Sequence, residues 1–225
     1  MRNLYLRAAG KLLQLPLMLA LFVFLPAGTL DYWEGWLFSA VFVLGSLAIT
    51  VYLAVTDPAL LERRMNAGPG AEPEKAQKTI MWFALATFAA LPIVSALDHR
   101  FGWSTVPRAV VILANILTVL SFVGFLWVFR ANTYGAATIQ IAEGQRVIST
   151  GPYAIVRHPM YGFALLLLVA MPVALGSWWG LFMVMPAIAG IVARLRDEER
   201  FLASHLDGYV DYMRRVRYRL VPGVY

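Results

Sequence analysis

Twelve consecutive residues, Gly151 to Gly162 (GPYAIVRHPMYG), hold two prolines, two glycines, two tyrosines, an arginine and a histidine, and a long uncharged run follows directly. Polar side chains at such a border have to meet either a ligand or the interface. Pro159 suits the first turn of a helix, where its missing N–H costs little, so His158 stands at or beside the N-cap. A helix start carries free backbone N–H groups and a partial positive charge, which together with Arg157 and His158 make a place for an anionic group. Taken singly, each residue has a plainer role: Arg157 can snorkel to lipid phosphates and His158 can cap the helix.

A second group lies downstream. Leu195, Leu202, Leu206, Tyr209, Met213 and Val216 recur at spacings of three, four and seven, the pattern of an amphipathic helix over Arg194 to Val216. Glu198 falls on that apolar stripe, with Arg194 one turn before it and His205 two turns after. An acid on an apolar face needs a partner. An internal pair with Arg194 would contribute only ~0.3 to 0.5 kcal/mol. A bound ligand or a partner in the Gly151 to Gly162 stretch is the other reading.

Composition limits the chemistry these residues can do. The chain has 225 residues, 60% hydrophobic and 14% charged, whereas soluble domains hold roughly 25% charged residues. It reads as an all-α, polytopic membrane protein. With no cysteine there is no disulfide, thiolate metal site or thiol nucleophile, and three histidines leave little for an imidazole-built metal centre. No metal is expected. The formal net charge of +6 comes from basic residues between apolar runs rather than from a basic face, so nucleic acid is not an expected partner.

Uncharged runs long enough to cross a ~30 Å hydrocarbon core extend from Leu12 to Leu30, Gly35 to Thr56, Thr79 to Leu97 and Ala109 to Phe129. A fifth, Pro159 to Ala193, is too long for one span and is interrupted by Pro172, Gly176 and Gly180, so it reads as a short helical hairpin with Trp178 and Trp179 at its turn. About six membrane-embedded helices and a cytoplasmic amphipathic C-terminal helix result. Residues 1–130 form an N-terminal bundle of four spans, and residues 131–225 a C-terminal catalytic subdomain. The segments on one side of these spans carry 17 of the 19 Lys and Arg residues, leaving Arg100 and Arg108 on the other. By the positive-inside tendency both termini are cytoplasmic, in an integral, multi-pass protein of the cytoplasmic (inner) membrane. Asp57 to Lys78, with Gly68-Pro69-Gly70 and mixed charges, reads as a solvated linker.

Taken together, Gly151-Pro152-Tyr153, the run from Arg157 to Gly162, and Glu198-Glu199 followed by Tyr209, Tyr212 and Val221-Pro222 resemble the catalytic region of the isoprenylcysteine carboxyl methyltransferases. The membrane phospholipid methyltransferases share this pattern. The resemblance covers roughly a third of the chain. It implies a hairpin and tail that enclose S-adenosyl-L-methionine, with Gln140, Val147, Ile148, Tyr153, His158, Pro159, Met160, Tyr161 and Glu198 at the cofactor and Arg194 toward the acceptor. Arg196 competes with Arg194 for that role. The expected catalytic residues are Arg194, Glu198 and Arg157, and Glu199 joins Glu198 among the expected cofactor-binding residues.

Methyl transfer from a sulfonium is an in-line displacement that depends on positioning, worth ~7 to 11 kcal/mol, and needs no metal. A carboxylate acceptor is already nucleophilic and wants an orienting arginine. An amine acceptor would need a base, for which His205 or Glu199 is the candidate. The expected function is S-adenosylmethionine-dependent methylation, by carboxyl O-methylation, of a lipid-like or prenylated substrate drawn from the bilayer. Two other readings stay open: an NADPH-dependent membrane reductase of the sterol-reductase type, and a non-catalytic membrane scaffold. No G-x-G-x-x-G motif follows a strand pattern, which removes only a soluble-type dinucleotide domain.

Overall fold

The computed structural model describes residues 2–66, 68, 70, 75–135 and 144–224. Helix α1 (Arg2–Leu19) runs through a π-helical turn (Ala20–Phe24) into α2 (Leu25–Ala27), and Gly28, at φ 68°, ends the span. Then come α3 (Trp33–Thr56), α4 (Pro58–Met65), α5 (Lys75–Phe101), α6 (Arg108–Ala131), α7 (Pro159–Ala174), α8 (Val184–His205) and α9 (Tyr209–Arg215), with 3-10 turns at Gly151–Ala154 and Trp179–Met183. No strand occurs among the described residues.

The protein is an all-helical polytopic membrane protein. Among the described residues, five helices are long and apolar enough to span: Asn3–Ala27, Trp33–Thr56, Gln77–Phe101, Arg108–Ala131 and Trp179–His205. The sixth apolar helix, α7, has 16 residues and is about 24 Å long, short of the hydrocarbon thickness. The expected hairpin is present, its turn at Leu175 to Ser177 and its two tryptophans exposed.

Two local expectations are corrected. The tail is not one amphipathic helix from Arg194 to Val216. The charged run Arg194 to Arg200 simply prolongs α8 as far as His205, because no breaker separates it from the apolar arm. The break comes at Asp207-Gly208, where Gly208 takes φ 80° and α9 begins. The segment after Asp57 is likewise no solvated linker over its first turns. Asp57 caps α4 through its carboxylate (Leu60 N to Oδ1, 2.9 Å) and Pro58 occupies the first turn. Leu60, Leu61 and Met65 are then buried against Leu4, Ala8, Leu53 and Phe129.

Each end of the bundle is fastened by polar contacts. At one end the buried Asp98 accepts from Ser104 N (2.7 Å), Ser104 Oγ (2.6 Å) and Ser177 Oγ (2.5 Å). Close by, Tyr32 donates to the Leu175 carbonyl at 2.5 Å. At the other end Lys11 donates to the Met65 carbonyl at 2.5 Å and Arg63 to that of Thr133. Between the two ends, Val23, Phe38, Leu91, Met171 and Leu175 fill the core. Helices α6 and α7 approach so closely that a Cβ on Gly124 would overlap the Phe163 ring.

Candidate active site

The Gly151–Ala154 turn starts at a glycine with φ 58°, a conformation that side chains rarely adopt. It sets Tyr153 against the end of α6, where Asn132 donates to the phenol oxygen at 3.0 Å. Burial pushes the Tyr153 hydroxyl up to about 12, the Asn132 bond opposing it, so the phenol keeps its proton near neutrality. From the tail, the Tyr212 hydroxyl donates to the Tyr153 carbonyl at 2.8 Å.

The chain then reaches α7, which starts at Pro159 with His158 at the N-cap, as the sequence implied. The His158 side chain makes no capping bond. Its Nε2 lies 3.3 Å from Glu199 Oε1. The same carboxylate oxygen accepts from Arg157 Nε at 2.6 Å, and Oε2 accepts from Arg219 Nε at 2.8 Å. Arg157 Nη1 also donates to the carbonyls of Val216 (2.8 Å) and Arg217 (2.9 Å). The backbone N–H groups of Arg157 and His158 donate to Tyr218 O and Arg219 O, both at 2.9 Å. Glu199, only 4% exposed, is thus the knot that ties the C-terminal strap across the mouth of α7.

Glu198 turns the other way. Its Oε2 accepts from the Tyr161 hydroxyl at 2.6 Å. One turn earlier, Arg194 Nη1 donates to Gln77 Oε1 at 3.0 Å, while the buried Gln77 donates through Nε2 to Asp197. Helix α5 therefore braces the charged end of α8.

These residues surround a cavity of about 410 Å³, within the ~300 to 1,000 Å³ of small-molecule sites. Val147, Ile148, Tyr153, His158, Met160 and Tyr161 form one wall. Arg157, Arg194 and Glu198 complete the set of sequence-expected residues that reach it. Pro159 and Glu199 stand behind the lining, and Gln140 lies outside the described residues. His205, the alternative base, is exposed and bonded within its own helix to Ser204 and Phe201.

Among the lining residues given no role from sequence are Tyr209, Tyr212 and Arg64. Tyr209 and Tyr212 belong to the motif but were given no role. Arg64, from α4, carried no motif; its only signal was the Asp57-Pro58 cap ahead of Leu60, Leu61 and Met65. The Tyr209 hydroxyl is buried and has no hydrogen-bond partner among the described residues. Burial raises its pKa, so it remains a donor facing the cavity. No group of three potential metal ligands occurs among the described residues.

The family model of phospholipid methyltransferases matches residues 109–207, which contain α6 but for its first residue, the hairpin and all of α8. Among curated proteins, the Delta(14)-sterol reductase of Mus musculus is 30% identical over 131 residues, which is 50% of this chain and 31% of the reductase. The chain therefore spans about a third of the length of that relative.

Proposed function

We propose that the protein is an S-adenosylmethionine-dependent methyltransferase that methylates the carboxylate of a lipid-like or prenylated acceptor at the cytoplasmic face of the membrane. The observation that carries this reading is the convergence of residues of the matched region some forty positions apart, the Tyr153 to Tyr161 stretch and Glu198, on one small-molecule-sized cavity.

The lining fits the cofactor. Glu198 has Oε1 beyond its Tyr161 bond to accept from an amino or ribose group, and Tyr209 offers a hydroxyl without a hydrogen-bond partner among the described residues. Tyr153, Tyr161 and Tyr212 bring aromatic rings to the cavity, surfaces compatible with a cation. Val147, Ile148 and Met160 supply apolar wall for a base. Pro159 shapes the helix start, whose next amides are open to an anion. S-Adenosylmethionine would supply the methyl group, whose bond to sulfur breaks as its bond to the acceptor oxygen forms.

The remaining groups bind and orient. Arg194, held by Gln77, presents its guanidinium to the acceptor, a two-pronged match for an oxyanion. Arg157, in the lining, and Glu199, outside it, keep the strap and the His158 ring in place. A carboxylate acceptor releases no proton on methylation, so the site needs no base.

The basic end of the bundle, with Lys11, Arg64, Arg157 and Arg194, is assigned to the cytoplasm. A reporter fused at Gly102 should then read as external.

A second reading, an NADPH-dependent reductase, is favoured by the identity to the sterol reductase. Thermal-shift titration of the detergent-solubilised protein separates the two. S-Adenosylhomocysteine should stabilise it and NADPH should not; stabilisation by NADPH alone would replace the methyltransferase reading.

A further inference from the structure

Glu34, Ser39, Arg63, Asn115 and Tyr209 each carry a buried polar atom with no hydrogen-bond partner among the described residues, and of these five Tyr209 alone lines the cavity. Leaving a buried hydroxyl unmet destabilises a fold, so one kept at the wall of a small-molecule-sized cavity calls for an explanation. Its place is fixed by its surroundings. Gly208, at φ 80°, turns the chain into α9, and the Tyr212 hydroxyl, bonded to the Tyr153 carbonyl at 2.8 Å, holds α9 on the Gly151–Ala154 turn. The Tyr209 ring, 4% exposed, lies with its centre 5.7 Å from that of Tyr212.

Donor and acceptor counting narrows what this hydroxyl can meet. Burial, with the nearby Glu199 and Glu198 carboxylates, raises the Tyr209 pKa, so the phenol keeps its proton to donate. Glu198, in the same lining, accepts from Tyr161 through Oε2 and has Oε1 beyond that bond. An ammonium group only donates, which would suit Glu198 and leave the phenol proton unmet. A carboxylate only accepts, which would suit Tyr209 and set two like charges together at Glu198. A hydroxyl group does both, donating to the carboxylate and accepting from the phenol. In an S-adenosyl ligand the groups of that kind are the two ribose hydroxyls.

We propose that Tyr209 is a cofactor-binding residue whose hydroxyl donates to a ribose hydroxyl that in turn donates to Glu198, so that the two side chains read the sugar of the nucleoside. This rests on the methyltransferase reading. Of the two groups that could face Glu198, amino or ribose, it assigns the ribose, and it gives α9 a direct part in holding the donor.

The test uses the full-length protein in detergent and measures calorimetric binding of S-adenosylhomocysteine and of its 2′-deoxy and 3′-deoxy analogues to the wild type and to Tyr209→Phe. The variant should bind S-adenosylhomocysteine roughly two- to tenfold more weakly, the loss of one neutral hydrogen bond. It should bind at least one of the deoxy analogues as well as the wild type does, because the partner hydroxyl is already missing there. Without ligand it should melt at or above the wild-type temperature, since phenylalanine carries no polar atom to be left unmet. Unchanged affinity for S-adenosylhomocysteine overturns the proposal and leaves the methyltransferase reading standing. Equal weakening toward S-adenosylhomocysteine and both deoxy analogues also overturns it, since the phenol would then meet some other part of the ligand. A lower melting temperature for the ligand-free variant does the same, because the hydroxyl would then have its partner within the protein. If the wild type does not bind S-adenosylhomocysteine at all, the methyltransferase reading fails and the role of Tyr209 falls with it.

Discussion

Glu199→Gln should loosen the C-terminal strap by an amount the structure allows one to work out. Removing one partner of a buried ion pair costs ~3 to 5 kcal/mol. Two features reduce that figure here: glutamine keeps one oxygen to accept from Arg157 Nε, and Arg157 retains its bonds to the Val216 and Arg217 carbonyls. The Arg219 arm is a third exposed and adds little, ~0 to 1 kcal/mol. A net loss of ~2 to 3 kcal/mol is expected, or roughly 30- to 150-fold in the opening equilibrium of the strap. The backbone N–H groups of Arg157 and His158, bonded to Tyr218 and Arg219, report that opening directly. Hydrogen exchange followed by mass spectrometry should show their protection fall by that factor, while the Asp98 end of the bundle exchanges as before. Protection unchanged within about threefold would mean that Glu199 does not hold the strap, and its charge would have to be explained by a ligand.

Other substitutions separate the remaining roles. Glu198→Gln keeps the shape and removes the charge, so affinity for S-adenosylhomocysteine in calorimetry should fall roughly ten- to a hundred-fold. Arg194→Lys should leave that affinity nearly intact and lower turnover at saturating cofactor; equal losses of affinity in the two variants would void the division between donor and acceptor residues. Asp98→Ala strands the Ser104 N–H and the two serine hydroxyls, at ~1 to 3 kcal/mol for each buried donor left unsatisfied. A lower melting temperature in detergent with unchanged cofactor affinity is expected.

Much of the architecture was legible because hydrophobic runs and their interruptions obey membrane dimensions. Pro172 and Gly176 announced the hairpin, and Pro159 announced the start of α7. The neighbouring glutamates were harder. Periodicity placed Glu198 on the apolar stripe and suggested that it needed a partner, which Tyr161 provides. It could not show that Glu199, one residue on, is the more deeply buried acid, because its partners Arg157 and Arg219 come from segments 42 and 20 residues away. α4 was missed because eight residues are too few for a strong periodic signal and its charges hid Leu60, Leu61 and Met65. With α4 went Arg64, whose arrival in the cavity is a tertiary fact. The extent of α8 was misjudged for a related reason: a change from apolar to charged residues looks like a boundary, yet the backbone turns only where Gly208 lets it.

Methyl transfer at this cavity has a direct readout. Purified protein in lipid nanodiscs, given S-adenosylmethionine carrying a tritiated methyl group and dodecanoate-type acceptors, tests it most directly. Label is expected in the organic phase that mild base releases as volatile methanol, the mark of a methyl ester, and it should be lost in Glu198→Gln. Absence of labelled product from the wild-type protein, with NADPH oxidised instead in the presence of an unsaturated lipid, would contradict it.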